Sequence, residues 1–226
     1  MLINSIMSDL KFLRVDSPTY VYQPHSTIKE VKMSKKKSNT RTNVNAFAMV
    51  AEFHTLANHP VLDEGPAEMP PLKVVRFREH FKLEEIIEGL EALTAKDSLT
   101  AKRTIEFLKQ AQAKWNELQE DDLDPDLVEY ADSLGDLKYI TEGAAHCYNI
   151  DLNRVVEEVH LKNLTRFPAN EEELQATLKK AVSEGIPVYS KFNLDNERFV
   201  VKRIDNDKVY KSAMHLLPEL APILGL

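Results

Sequence analysis

Residues 82–90 read Lys-Leu-Glu-Glu-Ile-Ile-Glu-Gly-Leu, and this stretch decides the fold class. Its apolar residues recur at the three- and four-residue spacing of an α-helix. On a helix, residues three or four positions apart share a face, so Glu84 and Glu85 are both neighbours of Glu88. The stretch therefore predicts a helix that carries three clustered carboxylates.

A second acidic stretch follows at 129–136, reading Glu-Tyr-Ala-Asp-Ser-Leu-Gly-Asp. The helical spacing makes Asp132 a neighbour of both Glu129 and Asp136. Like charges at this spacing repel, so two such helices that face one space require a cation between them. Oxygen-rich clusters of this kind suit Mg²⁺, with Mn²⁺ as the alternative.

The alternative interpretation is that these carboxylates only solvate helix surfaces, since the chain has 36 acidic residues. The flanking residues argue against it, because apolar side chains fall on more than one face of each helix. Around the second cluster these are Val128, Ala131, Leu134, Leu137, Ile140 and Ala144. Carboxylates embedded among apolar side chains need ion pairs or a metal. We therefore expect little of either helix to face solvent.

Length and composition bound the protein class. A chain of 226 residues with 43% hydrophobic residues can bury one substantial core. Asp9 and Lys11 interrupt the only candidate signal-peptide core, and no apolar run is long enough for a membrane span. We therefore expect a cytoplasmic protein without a membrane partner. The single cysteine, Cys147, cannot form an internal disulfide, and its apolar surroundings predict a buried thiol.

The charge is unevenly distributed. Residues 1–45 hold eight basic and three acidic residues, a net charge of +5, so the remainder carries −12 of the total of −7. An acidic body is a poor nonspecific binder of nucleic acids, and we expect no specific nucleic-acid partner. Residues 1–44 show no sustained period and contain Pro18 and Pro24, so they are predicted to form a basic, flexible arm that catalysis does not need.

Helical spacing predicts five helices in the body of the chain, and 45–167 is predicted to be one helical bundle. They are expected at about 45–58, 72–95 with the first acidic cluster, 98–120, from Asp124 onward with the second, and from Asp151 onward. In the fourth helix, Asp124 is the predicted N-cap, with Pro125 at the first helical position.

The character of the chain changes after Pro168. Asn170 and Glu173 are spaced as a capping pair for a helix over 171–184, which Gly185 closes. Two β-rich runs follow at 186–194 and 198–204. Residues 168–226 are therefore predicted to add a helix and a β-hairpin to the same domain, which gives a mainly α fold with a small C-terminal α/β element.

Three functions suit a helical bundle with clustered carboxylates. In the first, Mg²⁺ holds a polyphosphate and activates water for attack on phosphorus. In the second, a ferritin-like di-metal centre needs two copies of a Glu-x-x-His motif, and only Glu157-x-x-His160 supplies one. In the third, the helices form a non-catalytic interaction module. The residue pattern alone leaves the first and third open.

The succession of motifs resembles the all-α nucleoside triphosphate pyrophosphohydrolases, the MazG-like and phosphoribosyl-ATP pyrophosphatase superfamily. The resemblance extends over roughly 46–226. It rests on Val50-Ala-Glu-Phe-His54, the Pro-rich loop, Arg78 ahead of Glu84-Glu85-x-x-Glu88, the stretch 129–139, the stretch 143–151, Glu158-Val-His-Leu-Lys-Asn163-Leu-Thr-Arg166 and the late segment 207–212.

The resemblance implies a MazG-like helical bundle and a Mg²⁺-dependent enzyme that cleaves a (d)NTP into (d)NMP and pyrophosphate. It implies Glu85 as the base that activates water. It implies four metal ligands, which are Glu84, Glu88, Glu129 and Asp132. It further implies substrate contacts from His54, Asp136, Lys162, Asn163, Arg166, Lys208 and Lys211, with Asn58 and His59 as further candidates for the base or sugar.

The chain also departs from the family pattern. Residues 89–128, between the acidic motifs, form a longer gap than is usual, which implies an inserted helix that caps the site or enlarges an oligomer interface. Arg166 stands where Lys is common, and Lys208 follows Asp rather than Gly. Short helices with apolar faces on several sides suggest a homodimer or homotetramer.

Overall fold

Seven α-helices and one β-hairpin make up the part of the chain that the computed structural model describes, residues 44–62, 65–194 and 196–226. The helices are α1 Ala46–Ala57, α2 Leu72–Leu93, α3 Leu99–Trp115, α4 Leu127–Cys147, α5 Leu152–Leu164, α6 Glu171–Ser183 and α7 Ala221–Leu224. The strands are β1 Val188–Asn193 and β2 Arg198–Arg203. The mainly α prediction is confirmed, whereas the predicted arm lies outside the described residues.

Side-chain caps fix where most of these helices begin. Asn45, Ser98, Asp151 and Asn170 each accept a hydrogen bond from the backbone N–H three residues on, which satisfies one of the free donors of the first turn. The predicted pairing of Asn170 with Glu173 is confirmed. Among the described residues, no helix is long and apolar enough to span a membrane.

The predicted start of α4 is wrong. Asp126, and not Asp124, is the N-cap, and its carboxylate accepts from the backbone N–H groups of Val128 and Glu129, both at 3.0 Å. A short 3₁₀ turn at Glu120–Asp122 precedes it, and 123–126 is not helical. Because Asp126 satisfies two free donors at once, the helix begins two residues after Pro125.

Two small cores stabilise the C-terminal half of the chain, and the first of them holds it to α1. In the first, Leu56 and Ala57 of α1 pack with Phe167, Val200 and Val209. In the second, the buried side chains come from α6, β2 and the segment after it, and they are Leu174, Ala181, Val201 and Tyr210. The hairpin pairs β1 with β2 antiparallel, from Val188 opposite Arg203 to Asn193 opposite Arg198. These contacts place α1, α5 and the segment after β2 side by side.

Helices α2 and α3 form an antiparallel pair. Lys109 of α3 bonds Glu91 of α2 at 2.7 Å, and Gln112 donates to the His80 carbonyl at 3.0 Å. The predicted inserted helix between the acidic motifs is therefore α3, and it packs on the acidic helix α2.

Helix α4 is almost wholly exposed, which contradicts the expectation that little of it faces solvent. Of its 21 residues only Ala145 is buried, and Cys147 is exposed rather than buried. The exposed fractions of Val128 and Tyr139 are both 81%. No other described element packs along this helix. Apolar periodicity shows which face of a helix must be buried, but it does not show which surface buries it. No described surface of this chain buries the apolar face of α4.

Candidate active site

A cavity of about 480 Å³ lies between α1, α2, α5 and the segment that follows β2. It combines a carboxylate wall, a set of cations and an apolar floor. Its lining includes Met49, Val50, Phe53 and His54 of α1, Phe77, Arg78, Phe81, Glu84, Glu85 and Glu88 of α2, Val156, Val159, His160 and Asn163 of α5, and then His59, Arg166, Lys208, Val209 and Lys211.

The carboxylate wall follows from the helical repeat. Phe77, Phe81, Glu84 and Glu88 recur every three or four residues, so one face of α2 presents two aromatic rings and then the acidic cluster. The rings of Phe77 and Phe81 meet edge to face, with centroids 4.6 Å apart. The aromatic pair gives the carboxylates a partly apolar surrounding.

This surrounding changes the acidity of Glu85. Burial raises the pKa of its carboxyl group, and the neighbouring charges of Glu88 and Glu84 raise that pKa further, whereas Lys208 and Arg166 act in the opposite direction. A carboxylate with a raised pKa is a stronger base than an exposed one. Glu85 is therefore better suited than an ordinary glutamate to accept a proton.

Lys208 joins the cationic side of the cavity to the acidic wall. Its Nζ lies 3.1 Å from Glu84 Oε2 and 4.4 Å from the centroid of the Phe81 ring. The first contact is an ion pair and the second is a cation–π contact. Lys208 therefore places a positive charge directly beside the carboxylates.

Arg166 is the second cation of the cavity. Burial lowers the pKa of its guanidinium group, and the Glu85 carboxylate opposes that shift. Its Nε is buried without a hydrogen-bond partner in the described part of the chain. A buried donor without a partner is costly, so an anion that accepts from it is favoured.

Two neutral histidines border the cavity. The Nδ1–H of His54 donates to the Pro60 carbonyl at 2.6 Å, and burial lowers the pKa of His54. Burial, together with the positive charges of Lys202 and Arg78, lowers the pKa of His59 to about 3. The His59 ring meets Phe77 edge to face, with centroids 5.6 Å apart. Together these rings form an aromatic end of the cavity that carries no charge of its own.

The other predicted substrate contacts divide into two groups. Asn163 and Lys211 line the cavity with Arg166, Lys208 and His54. Lys162 does not line it and instead forms an ion pair with Glu158 at 3.3 Å. Asp136 lies on the exposed helix α4.

The second acidic motif does not reach the cavity within one chain. Glu129 and Asp132 lie on α4 and are absent from the cavity lining. The side chain of Tyr130 does meet α2, where its hydroxyl donates to Glu79 and accepts from Lys82 at 2.7 Å. Across the described residues, no group of three or more histidine, cysteine, aspartate or glutamate side chains is arranged to hold a metal ion. Of the four predicted metal ligands, Glu84 and Glu88 line the cavity, whereas Glu129 and Asp132 do not.

Arg78 and Phe81 line the cavity, although the sequence predicts no role for either. The signal that identifies them is their spacing from the acidic cluster. Arg78 precedes Glu85 by two helical turns, and Phe81 precedes Glu85 by one turn. The Arg78 guanidinium lies 5.4 Å from the centroid of the Phe77 ring.

Comparison with known families agrees with this arrangement. The family model for phosphoribosyl-ATP pyrophosphohydrolase matches residues 50–163, half of the chain. The matched range includes α2 and α4 with both acidic motifs. A search of curated proteins and a search of solved structures each gave no match. The chain therefore belongs to the phosphoribosyl-ATP pyrophosphohydrolase family, a group of nucleotide pyrophosphohydrolases within the MazG-like all-α superfamily.

Proposed function

We propose that this protein is a Mg²⁺-dependent pyrophosphohydrolase that cleaves a (d)NTP into (d)NMP and pyrophosphate. The observation that carries the proposal is the cavity in which Glu84, Glu85 and Glu88 face Lys208 and Arg166. Family membership supports the reaction class. A site for a polyphosphate needs cations for the phosphate oxygens and a base for water, and this cavity supplies both.

Glu85 is the proposed general base. In the reaction, the oxygen of a water molecule forms a bond to the α-phosphorus. At the same time, the bond between the α-phosphorus and the α–β bridging oxygen breaks. The proton of the water passes to the Glu85 carboxylate, and pyrophosphate leaves with the bonding electron pair. The raised pKa of Glu85 supports this role, because the carboxylate then binds the proton more strongly.

Lys208, Lys211 and Arg166 are the proposed phosphate contacts, with Asn163 beside them on α5. The unpartnered Nε of Arg166 supports its assignment, since a phosphate oxygen would satisfy this donor. At the uncharged end of the cavity, His54 is the proposed contact for the base or sugar, and His59 lies next to it.

Mg²⁺ is the proposed cofactor, with Glu84, Glu88, Glu129 and Asp132 as its ligands. Glu84 and Glu88 share the face of α2 that lines the cavity. Glu129 and Asp132 lie on α4 and are not among the residues that line the cavity. The chemistry of these carboxylate donors suits Mg²⁺.

Neither alternative function has comparable support. The Glu-x-x-His motif of a di-metal centre is engaged otherwise, because His160 Nε2 lies 3.0 Å from Glu52 Oε2. A non-catalytic interaction module would account for the exposed α4 but not for the buried, unpartnered Arg166 Nε or the raised pKa of Glu85.

The test is a screen of the purified protein against the canonical NTPs and dNTPs, with pyrophosphate and phosphate measured separately. We expect pyrophosphate release from at least one nucleotide with Mg²⁺ or Mn²⁺, and none after addition of EDTA. Thermal melting with Mg²⁺ and nucleotide should show stabilisation. Release of phosphate alone, activity that resists EDTA, or complete inactivity with an unchanged melting temperature would contradict the proposal.

A further inference from the structure

We propose that Asp207 is a positioning residue, which Tyr189 and Lys202 hold in place so that the neighbouring Lys208 stays beside Glu84. The proposal rests on the proposed function for the role of Lys208 as a phosphate contact. The anchoring of Asp207 by the hairpin does not depend on that function.

Lys208 follows a tight turn at the end of β2. The turn occupies 204–206. The Asp207 N–H donates to the Arg203 carbonyl at 3.1 Å, and the Arg203 N–H donates to the Lys208 carbonyl at 3.0 Å. The chain therefore reverses direction beside β2, and the closure of this turn fixes the backbone from which the Lys208 side chain extends.

Asp207 closes the turn in a left-handed backbone conformation, with a φ of 63°. This conformation costs free energy for a residue that has a Cβ atom, whereas glycine adopts it readily. Contacts of the Asp207 side chain can offset that cost, and glycine has no such contacts.

A cross-strand pair holds the Asp207 carboxylate. Tyr189 on β1 and Lys202 on β2 lie opposite each other in the hairpin. The Tyr189 hydroxyl donates to Asp207 Oδ1, and Lys202 Nζ donates to Asp207 Oδ2 at 3.5 Å. Lys73 of α2 adds a looser ion pair, with its Nζ 4.0 Å from Oδ2. Both carboxylate oxygens therefore accept from the hairpin.

Burial makes this arrangement costly to break. Lys202 is 5% exposed, and within the described ranges Asp207 is its sole carboxylate partner. Burial, together with the bond to Asp207, raises the pKa of Tyr189 to about 12, so its hydroxyl remains a donor at neutral pH. Burial also acts to raise the pKa of Asp207, but Tyr189 and Lys202 outweigh it and lower that pKa. Loss of either donor would leave a buried polar group without its partner.

The anchor also prevents Asp207 from competing with Glu84 for Lys208. A free carboxylate next to Lys208 in the chain could form an ion pair with its ammonium group. Because the Asp207 oxygens already accept from Tyr189 and Lys202, Lys208 Nζ is left 3.1 Å from Glu84 Oε2. An ammonium group that is ordered before substrate binds contributes more to binding and catalysis than a mobile one.

The test compares Tyr189→Phe with the matched control Tyr210→Phe in the full-length chain. Each variant removes one hydroxyl and keeps the ring, and the Tyr210 hydroxyl donates at 2.6 Å to Glu184, which is not part of the turn. Tyr189→Phe should lower kcat/KM for the triphosphate about three- to tenfold, no more than the loss of the Lys208 ammonium group itself. Tyr210→Phe should leave it unchanged. Equal losses in the two variants would overturn the proposal.

A double-mutant cycle shows whether Tyr189 acts through Lys208. In a chain that already carries Lys208→Met, the further change Tyr189→Phe should have no additional effect on kcat/KM. A merely structural role would lower kcat/KM by the same factor in both backgrounds, and that result would overturn the proposal. An unchanged kcat/KM for Tyr189→Phe alone would overturn it as well.

A readout that does not depend on activity is the labelling of Lys208 by an amine-reactive ester, followed by mass spectrometry, in protein free of metal and nucleotide. Tyr189→Phe should raise the labelling rate of Lys208 relative to Lys211 about two- to fivefold, because its Nζ is released from Glu84, and Tyr210→Phe should not. An unchanged rate would overturn the positioning of Lys208, even if the wild type is an active pyrophosphohydrolase. A raised rate in a protein without such activity would support the positioning and contradict the proposed function.

Discussion

Replacing Glu85 by Gln should abolish catalysis and, at the same time, stabilise the folded chain. The amide has nearly the shape of the carboxylate but cannot accept the proton of the attacking water. Loss of a general base costs a factor of about 10²–10⁴ in rate, or about 2.7–5.5 kcal/mol in the activation free energy. The affinity for nucleotide should change far less, because the phosphate-contacting cations are untouched.

The stability gain follows from the surroundings of Glu85. Burial and the charges of Glu88 and Glu84 raise its pKa, so the charged carboxylate is disfavoured in the folded chain. Above that raised pKa the group is charged in both the folded and the unfolded state, and the folded state carries the full cost. Removing the repulsion between Glu85 and Glu88, at three-residue spacing, stabilises the folded chain by about 0.2–0.5 kcal/mol, which corresponds to about 0.4–2 °C in melting temperature at pH 8.

Pyrophosphate release and thermal melting without metal measure the two effects. Glu91→Gln is the matched control, since it makes the same change on the same helix at an exposed ion pair with Lys109. The control should keep wild-type activity and melt within about 1 °C of wild type. The wild-type kcat/KM should also fall on the acid side with a midpoint above 4.5, the ordinary pKa of a glutamate. A Glu85→Gln protein with a near-normal rate would refute the base assignment, and a lower melting temperature would refute the electrostatic argument.

Three further predictions concern the cavity and the core. Lys208→Met should lower kcat/KM for the triphosphate about tenfold, because it removes the ammonium group beside Glu84; an unchanged value in a steady-state titration would contradict the phosphate contact. Since the pKa of His59 is about 3 in the folded chain, the unfolded state binds more protons between pH 3 and 6.5, and unfolding free energy should fall as the pH falls through this window. The free energy of unfolding should change by at most about 1.4 kcal/mol per pH unit, and partial exposure of His59 reduces this slope. Urea titrations at several pH values should give this slope for the wild type but not for His59→Gln. Equal slopes for the two proteins would show that His59 is not its source. Phe167→Ala should lower the free energy of unfolding in urea by about 3–5 kcal/mol, because this ring is 2% exposed and packs on Phe53. The control Val182→Ala should change it by no more than about 0.5 kcal/mol. A similarly small change for Phe167→Ala would contradict the packing of this ring in the first core.

The elements of the fold were predictable where a local signal exists. Asn170 and Glu173 identify the start of α6, and the spacing of Phe77, Phe81 and Glu84 identifies the face of α2 that lines the cavity. The start of α4 was not predictable, because Asp124 and Asp126 are both plausible N-caps. Only the structure shows that Asp126 accepts two backbone hydrogen bonds.

Local sequence patterns do not predict which surface α4 packs on. The periodicity of Leu134, Leu137 and Ile140 correctly predicts a helix with an apolar face, but it contains no information on which surface covers that face. Family resemblance implies that Glu129 and Asp132 meet the first acidic cluster, and the described chain alone does not bring them there. The contact of Lys162 with Glu158, by contrast, follows from their four-residue spacing, although the resemblance assigned Lys162 to the substrate.

We propose that the cavity at Glu84, Glu85 and Glu88 cleaves the bond between the α and β phosphates. The most direct measurement is a phosphorus NMR time course on the protein with Mg²⁺ and its best nucleotide. We expect nucleoside monophosphate and pyrophosphate to appear in equal amounts, and we expect Glu85→Gln to produce neither at a comparable rate. Appearance of nucleoside diphosphate with phosphate, or equal pyrophosphate release by Glu85→Gln, would contradict it.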